Sequence, residues 1–432
     1  MIGQDYKQRI EEIRRGEVPD GYTHTRVGVI PMDWQETRVI DRFDRVTRKN
    51  DENNKNVLTI SAQQGLISQG DYYEKEIASE DKSTYYLLRK GDFAYNKSYS
   101  SGYPYGAIKR LEAFEKGIVS PLYICFAPKK ETDSDFYRFY FDSGLFNREI
   151  YRIAQEGARN HGLLNVATED FFGATLIDLP KDEQKKIAQI LDACDRVIEL
   201  KQKLVDELKK LKKACLAKMF PQDGKTVPEI RFPGFTAPWG QQKLSAYLYV
   251  STEKNIEDTY TKQDVLSVSG DHGIVNQIEF QGRSFAGASV FNYGVVYTGD
   301  IVYTKSPLKL NPYGIIKTNK GKPGIVSTLY AIYHPRGNVD SSFVQTYFEQ
   351  HARMNNYMRP LVNKGAKNDM KVSPENALKG LVFFPRIDEQ QMIVSMFNHL
   401  DSYITLYQCE LETEQKREKA LMQLLLTGIV RV

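Results

Sequence analysis

Residues 310–317 read Leu-Asn-Pro-Tyr-Gly-Ile-Ile-Lys, and Asn311-Pro312-Tyr313 is one proline short of an Asn-Pro-Pro-Tyr loop. With that loop, amino-methyltransferases grip an adenine or cytosine, its carboxamide oxygen accepting a hydrogen bond from the target amino group. Methyl transfer also needs a glycine turn after a first strand to seat S-adenosylmethionine, and no G-x-G pattern stands in a βα setting here. Glu183-x-Lys185 imitates the end of a metal-dependent nuclease site, but it falls where a helix should begin and not on a strand. Phosphate loops of the G-x-x-x-x-G-K-[ST] type, H-E-x-x-H and G-x-S-x-G are all missing from the sequence. The six histidines (His24, His161, His272, His334, His351, His399) are far apart, and the four cysteines (Cys125, Cys194, Cys215, Cys409) form no C-x-x-C pair. That pattern disfavours zinc and a disulfide framework, so reduced thiols are expected.

The elements that must carry any such residues occur twice. "VLTISAQQGLI" starts at Val57 and "VLSVSGDHGIV" at Val265, an offset of 208. "GDFAYNKSYSSGYPYGAIK" (Gly91 to Lys109) and "GDIVYTKSPLKLNPYGIIK" (Gly299 to Lys317) keep that offset and share ten of nineteen residues. "GIVSPLY" at Gly117 matches "GIVSTLY" at Gly324, and "GARN" at Gly157 matches "GAKN" at Gly365. "LPKDEQKKIAQILDACD" (Leu179 to Asp195) pairs with "FPRIDEQQMIVSMFNHLD" (Phe384 to Asp401). The chain is a duplicated module, far longer than a solenoid repeat. The duplication also supplies a control: Asn311 falls on Tyr103, whereas Pro312-Tyr313-Gly314-x-Ile316-Lys317 recurs as Pro104-Tyr105-Gly106-x-Ile108-Lys109. The residue that looked catalytic is the one that varies.

Each copy starts with alternating strand patterns broken by Gly, Asn, Asp and Pro turns, and a helical stretch follows. Each closes with a long helix that opens on Pro and then Asp-Glu-Gln, acids that suit a helix start. Apolar positions step by 3 or 4 through Ile187, Ile190, Cys194, Val197, Leu204, Leu208, Leu211 and Cys215, with Lys201 at the one skipped position. A second series runs through Ile393, Phe397, Leu400, Ile404, Tyr407, Leu411, Leu421 and Leu425, interrupted by Glu414 and Glu418. Seams of this length argue a coiled-coil contact, and a helix from about 182 to 220 would span roughly 55 to 60 Å. The fold expected is α+β, with two β-rich modules separated by two long antiparallel helices about a pseudo-twofold axis. The boundaries expected are 1–180 and 223–385 for the modules, and 181–222 and 386–432 for the helices.

Composition narrows the class without choosing a function. A chain of 432 residues with 41% apolar and 26% charged residues is globular and multidomain. Net charge +4 with a pI near 8.5 permits nucleic-acid binding but does not demand it. No run approaches the roughly 18 apolar residues of a membrane span, and the amino terminus is charged from the start. A cytoplasmic protein without membrane contact is expected.

Two variable β-rich modules, each carrying Gly-Asp-x-x-x-x-Lys (Gly91 to Lys97, Gly299 to Lys305) and each followed by a Pro/Glu-Gln helix, resemble the specificity subunit of type I DNA restriction-modification systems. The resemblance covers essentially the whole chain. It implies two target recognition domains that read the halves of a bipartite, asymmetric double-stranded DNA site. It implies that the paired helices set the gap and dock two methyltransferase subunits, to which two restriction motor-nuclease subunits can join. It implies no active site and no cofactor in this chain, S-adenosylmethionine belonging to the partner methyltransferase. The alternative is a divergent nucleic-acid methyltransferase or nuclease acting alone.

Matched loops locate the candidate DNA contacts. The Gly-Asp turns lead to Lys97-Ser98 and Lys305-Ser306, suited to phosphate or guanine. The loops beyond them differ, placing Tyr99, Tyr103 and Tyr105 in one copy and Lys309, Asn311 and Tyr313 in the other. Gln63-Gln64 and Asp271-His272 occupy matching turns with different chemistry, Gln suiting adenine and Asp a cytosine amino group. Arg159-Asn160-His161 and Lys367-Asn368 follow the shared Gly-Ala. Asp92 and Asp300 are expected to form turns and not to read bases.

Overall fold

The computed structural model describes residues 5–61, 64–72, 81–98, 102–154, 164–222, 224–287, 289–305, 308, 310–364 and 370–432. It divides into two compact units, one of Met1–Leu200 with Glu410–Val432 and one of Lys201–Cys409. The boundaries fall inside the two long helices, Lys181–Lys218 and Ile387–Leu426.

The first unit is built on a four-stranded antiparallel sheet in the order Phe43–Arg45, Ile124–Pro128, Phe93–Asn96, Ala107–Arg110. Side chains alternate across it with the period of two that a strand imposes. Phe93 and Tyr95 enter one core with Phe43, Phe126, Phe136, Tyr137 and Phe171, while Ala94 and Cys125 enter another with Leu58, Leu88 and Val119. Both faces of the sheet are thus buried. The second core is roofed by a hairpin, Leu58–Ser61 with Gly65–Ser68, and by a two-stranded ladder, Tyr86–Arg89 with Lys116–Val119, whose strands flank the sheet's last strand pair in sequence. A single parallel bridge between Val57 and Ile118 ties hairpin and ladder together.

The second unit repeats this plan. Its sheet runs Leu248–Val250, Tyr330–Pro335, Ile301–Thr304, Ile315–Thr318. Ile301 and Tyr303 face the helices, and Val302 faces Leu266, Val296 and Val326. The hairpin Leu266–Ser269 with Gly273–Asn276 and the two-stranded ladder Gly294–Val296 with Gly324–Val326 are joined by the parallel bridge Val265 to Ile325. The helix behind each sheet starts on an aspartate cap: Asp133 accepts from Phe136 N at 2.9 Å, and Asp340 from Ser342 N at 2.8 Å.

In each unit the start of one long helix packs with the end of the other, so the two run antiparallel. Ile187, Ala188 and Leu191 share the first core with Leu425 and Leu426. Leu216, Met219 and Phe220 share the second with Ile393, Val394 and Phe397. At 38 and 40 residues, the helices are about 57 and 60 Å long.

One half of the predicted seam on the first helix is displaced by a residue. Val197, Leu204 and Leu211 are 44, 39 and 50% exposed. Leu191, Ile198, Val205, Lys212 and Met219 turn inward beside Ile187, Cys194, Lys201, Leu208 and Cys215. Both registers step by 3 and 4, so apolar spacing does not separate them. Lys212 made the true one look worse, yet its ammonium is paired with Glu349 at 2.7 Å and Asp401 at 2.6 Å. The second helix keeps its expected seam, with Ile393, Phe397, Ile404, Leu411 and Leu425 all buried.

Two outcomes follow from this packing. Phe343 is fully buried, its ring 5.0 Å from Phe384 and 5.9 Å from Phe220. Phe343→Ala should cost about 3–5 kcal/mol, read as an earlier urea midpoint for the second unit. Glu418, one of the two acids interrupting the stripe, is raised to about 8 from an ordinary 4.5 by burial, with Asp195 adding a hydrogen bond and a like charge. A carboxyl whose folded value is raised stabilises the fold fully below 4.5 and loses that contribution as pH climbs through 8. Thermal melts at pH 5, 7 and 9 should therefore fall with pH in the parent chain, and the fall should flatten in Glu418→Gln.

Candidate nucleic-acid interface

One set of candidate residues sits on the loop joining the last two strands of each sheet, and a Gly-Asp turn sets the opposite, open end of that strand pair. Gly91 and Gly299 both adopt φ +92°, the left-handed region that favours glycine. Asp92 and Asp300 are 6 and 4% exposed. Each accepts a turn N–H, from Arg89 at 2.8 Å and from Tyr297 at 2.7 Å. Their carboxylates are also met by Arg48 in the first unit and by His334 Nδ1 at 2.6 Å in the second. These aspartates build the turn, as their type and spacing predicted.

The shared Pro-Tyr-Gly closes the other end. Gly106 and Gly314 have φ +76° and +82°, and a Cβ at either would overlap the carbonyl oxygen of Asn96 or Thr304. Tyr95 Oη donates to Tyr105 O at 2.8 Å, and Tyr303 Oη donates to Tyr313 O at 2.6 Å. The tyrosine of the Gly-Asp strand thus clamps the tyrosine of Pro-Tyr-Gly, which explains why both recur at the same offset. The motif is a loop hinge.

Between these ends the predicted residues fall into distinct settings. Lys97 Nζ reaches Val166 O at 3.5 Å, and Lys305 Nζ reaches Thr328 O at 3.3 Å. Ser98 N bonds Asn96 Oδ1 at 3.0 Å, and Gln64 is exposed at the tip of the first hairpin. Asp271 and His272 are exposed at the matching tip, with the His272 ring 4.9 Å from Phe280. Tyr103 and Tyr105 are half-buried, Tyr105 meeting the Tyr151 ring edge-on at 6.1 Å, and Tyr313 rests on the second core. Asn311 is only 3% exposed, its Oδ1 against His351 Nδ1 and its carbonyl taking Gly314 N at 3.0 Å. Gln63, Tyr99, Arg159, Asn160, His161, Ser306, Lys309, Lys367 and Asn368 lie outside the described residues.

The glutamate of the suspected nuclease pair is also committed. Glu183 is buried and accepts from Trp34 Nε1 at 3.0 Å and from Arg431 Nε at 2.6 Å. Glu389, its repeat partner, accepts from Trp239 Nε1 at 3.3 Å and from Arg231 Nε at 2.6 Å. The neighbouring glutamines bond the carbonyls before the helices, Gln184 to Leu179 O at 2.8 Å and Gln390 to Pro385 O at 2.9 Å. Glu-Gln is therefore a docking pair for the helix start. Its donors escaped the sequence reading because they lie 149 to 248 positions away.

No family model matches the chain. It is 23% identical over 439 residues to the protein described as the type I restriction enzyme MjaX specificity subunit of Methanocaldococcus jannaschii, covering 96% of this chain and 97% of that one. The MjaVIII specificity subunit of the same organism is 25% identical over 333 residues, 74% of this chain and 75% of that one. Among solved structures, the S subunit of a type I restriction-modification system from M. genitalium superposes with a TM-score of 0.52 at 14% identity, over 91% of this chain and 96% of that one. The curated homologues of this chain are thus type I restriction enzyme specificity subunits, matched over most of its length, and its fold is that of a type I S subunit.

Proposed function

We propose that the chain reads double-stranded DNA for a separate methyltransferase, each unit recognising one half of a bipartite, asymmetric site. The observation that carries this reading is the duplication itself. Two units share a sheet, hairpins, Gly-Asp turn and Pro-Tyr-Gly hinge, and they differ in the residues between. A common scaffold with unlike loops suits two readers of unlike sequences. In this reading Lys97 and Lys305 hold phosphates, because among the described residues each bonds a neutral carbonyl and no acid. Gln64, Asp271 and His272 present edges to bases, together with the candidates outside the described residues. Asn311, buried against His351, supports the loop from beneath.

The long helices fix the gap between half-sites. Readers one DNA turn apart need about 34 to 36 Å, which helices of about 57 and 60 Å can supply. Their outward Val197, Leu200, Leu211, Tyr403 and Leu406, all more than 40% exposed, offer apolar ground for two methyltransferase subunits. Two restriction motor-nuclease subunits can join that assembly. S-adenosylmethionine binds the partner methyltransferase, and this chain contributes neither cofactor nor catalytic residue. No helix among the described residues is long and apolar enough to cross a membrane, and the complex works in the cytoplasm, where the DNA is.

Salt titration of DNA binding by the chain with its methyltransferase tests the phosphate anchors. The double variant Lys97→Ala/Lys305→Ala should bind more weakly on any sequence, and the slope of log K against log salt should shrink by roughly 1.8. An unchanged slope would remove both lysines from the interface. Methyl transfer by the purified chain alone, given S-adenosylmethionine, would contradict the non-catalytic reading.

A further inference from the structure

The lysine that ends the shared hinge segment is taken up inside its own unit in both copies. Lys109 Nζ lies 2.7 Å from Asp142, with side chains 16 and 26% exposed. Lys317 is 8% exposed, and burial lowers its pKa while Glu349 is the first charge to oppose that fall. Asp142 and Glu349 are the last residues of matched helices, Ser134–Asp142 and Ser341–Glu349. A carboxylate at a helix C-terminus meets the negative end of the dipole, an unfavourable place. Both copies keep an acid there nonetheless.

The acids lead on to the long helices. In the first unit Asp142 acts on Arg138, whose guanidinium bonds Asp195 at 2.8 Å. In the second, Glu349 meets Lys212 at 2.7 Å, and Lys212 meets Asp401 at 2.6 Å. Burial opposes the charge of Arg138 and of Lys212, yet the facing acids outweigh it and hold both above their ordinary values. Asp195 and Asp401 occupy matched positions of the two long helices. The bridging cation comes from different elements, the module helix in one unit and the long helix in the other. Three of four members are thus kept by the duplication while the fourth is supplied anew, so the charge path persists although its middle residue does not.

The first core already joins Tyr95 and Ile108 to Ile187, Leu191 and Leu425 by apolar packing, and the charges add a second, directional connection. A cleft of about 420 Å³ separates the end of the loop, at Tyr103 and Tyr105, from Glu418 and Met422 of the second long helix, with Lys109 and Asp142 on its wall. Buried ion pairs add little net stability over an apolar replacement, but their short directional bonds fix a register that apolar surfaces leave free to slide.

We propose that the ion pairs Lys109–Asp142 and Arg138–Asp195 in the first unit, and Glu349–Lys212–Asp401 beside the buried Lys317 in the second, are positioning chains that hold each reading loop at one register on the long helices of its own unit. Resting on the DNA-reading function proposed above, this makes the gap preference, and not only affinity, depend on residues that touch no DNA. Asp195 and Asp401 are the points to break, because at 39 and 48% side-chain exposure their loss leaves no buried hole.

The test uses the complex of the full chain with its methyltransferase, on duplexes carrying the mapped half-sites at the parent gap and at one base pair more or less. Asp401→Asn and Asp195→Asn should each lower the ratio of methylation at the parent gap to that at the neighbouring gaps by about tenfold, the ratio expected for one charge-assisted hydrogen bond. Lys212→Arg should retain the parent ratio, and Phe343→Ala, which weakens the core alone, should leave it unchanged. Parent ratios in both aspartate variants, or a loss that Phe343→Ala reproduces, would overturn the positioning role. A parent complex that methylates all gaps equally would overturn the bipartite reading itself, and the chains with it.

Discussion

A buried carboxylate must be met by donors, and Glu183 and Glu389 make that requirement the joint between module and helix. Each sits in the first turn of a long helix, buried, between a tryptophan N–H and an arginine. The arginine comes from the segment that follows a long helix: Arg431 after the second helix serves the start of the first, and Arg231 after the first serves the start of the second. The tryptophans belong to the cores, so the same carboxylate registers core, helix start and the tail of the opposite helix. Removing one donor would leave an uncompensated charge, a loss of roughly 3–5 kcal/mol where such pairs are buried. In the first unit the tail adds Gly428, whose carbonyl takes Tyr22 Oη at 2.6 Å. The last residues of the chain are thereby structural.

Given that joint, the rest of each unit is a scaffold for one hinged loop. The sheet buries both faces, the Gly-Asp turn holds the open end of the strand pair, Pro-Tyr-Gly closes the loop at the other end, and the tyrosine clamp joins loop to strand. Rigid ends with a variable middle let a loop change its reading without disturbing the fold. The two residues that imitated catalytic motifs are taken up by the same scaffold: Glu183 is held by Trp34 and Arg431, and Asn311 by His351.

Much of this was legible because the chain repeats itself. Period-two patterns marked the central strands, and the shared offset separated scaffold residues such as Tyr105 and Tyr313 from variable ones. The repeat also demoted Asn311 from catalysis, although its burial under the loop needed His351, 40 positions away. The seam of the first long helix was half legible. Two registers share the same apolar spacing, and the choice between them rests on Lys212, whose partners Glu349 and Asp401 are unrelated to it by local sequence. Glu183 likewise reads only as a helix-start acid until its distant donors are placed beside it. Local patterns carry periodicity, caps and turns; long-range ion pairs leave no local mark.

The central claim is that one chain reads two different half-sites at a set distance. Single-molecule sequencing of methylated adenines in genomic DNA, with and without an intact copy of this chain, tests it most directly. The account predicts one bipartite motif, with unlike halves and a constant gap, that disappears when the chain is lost and changes in one half alone when residues 57–170 are exchanged for another first module. A continuous or palindromic motif, or a methylation pattern indifferent to the chain, would contradict it.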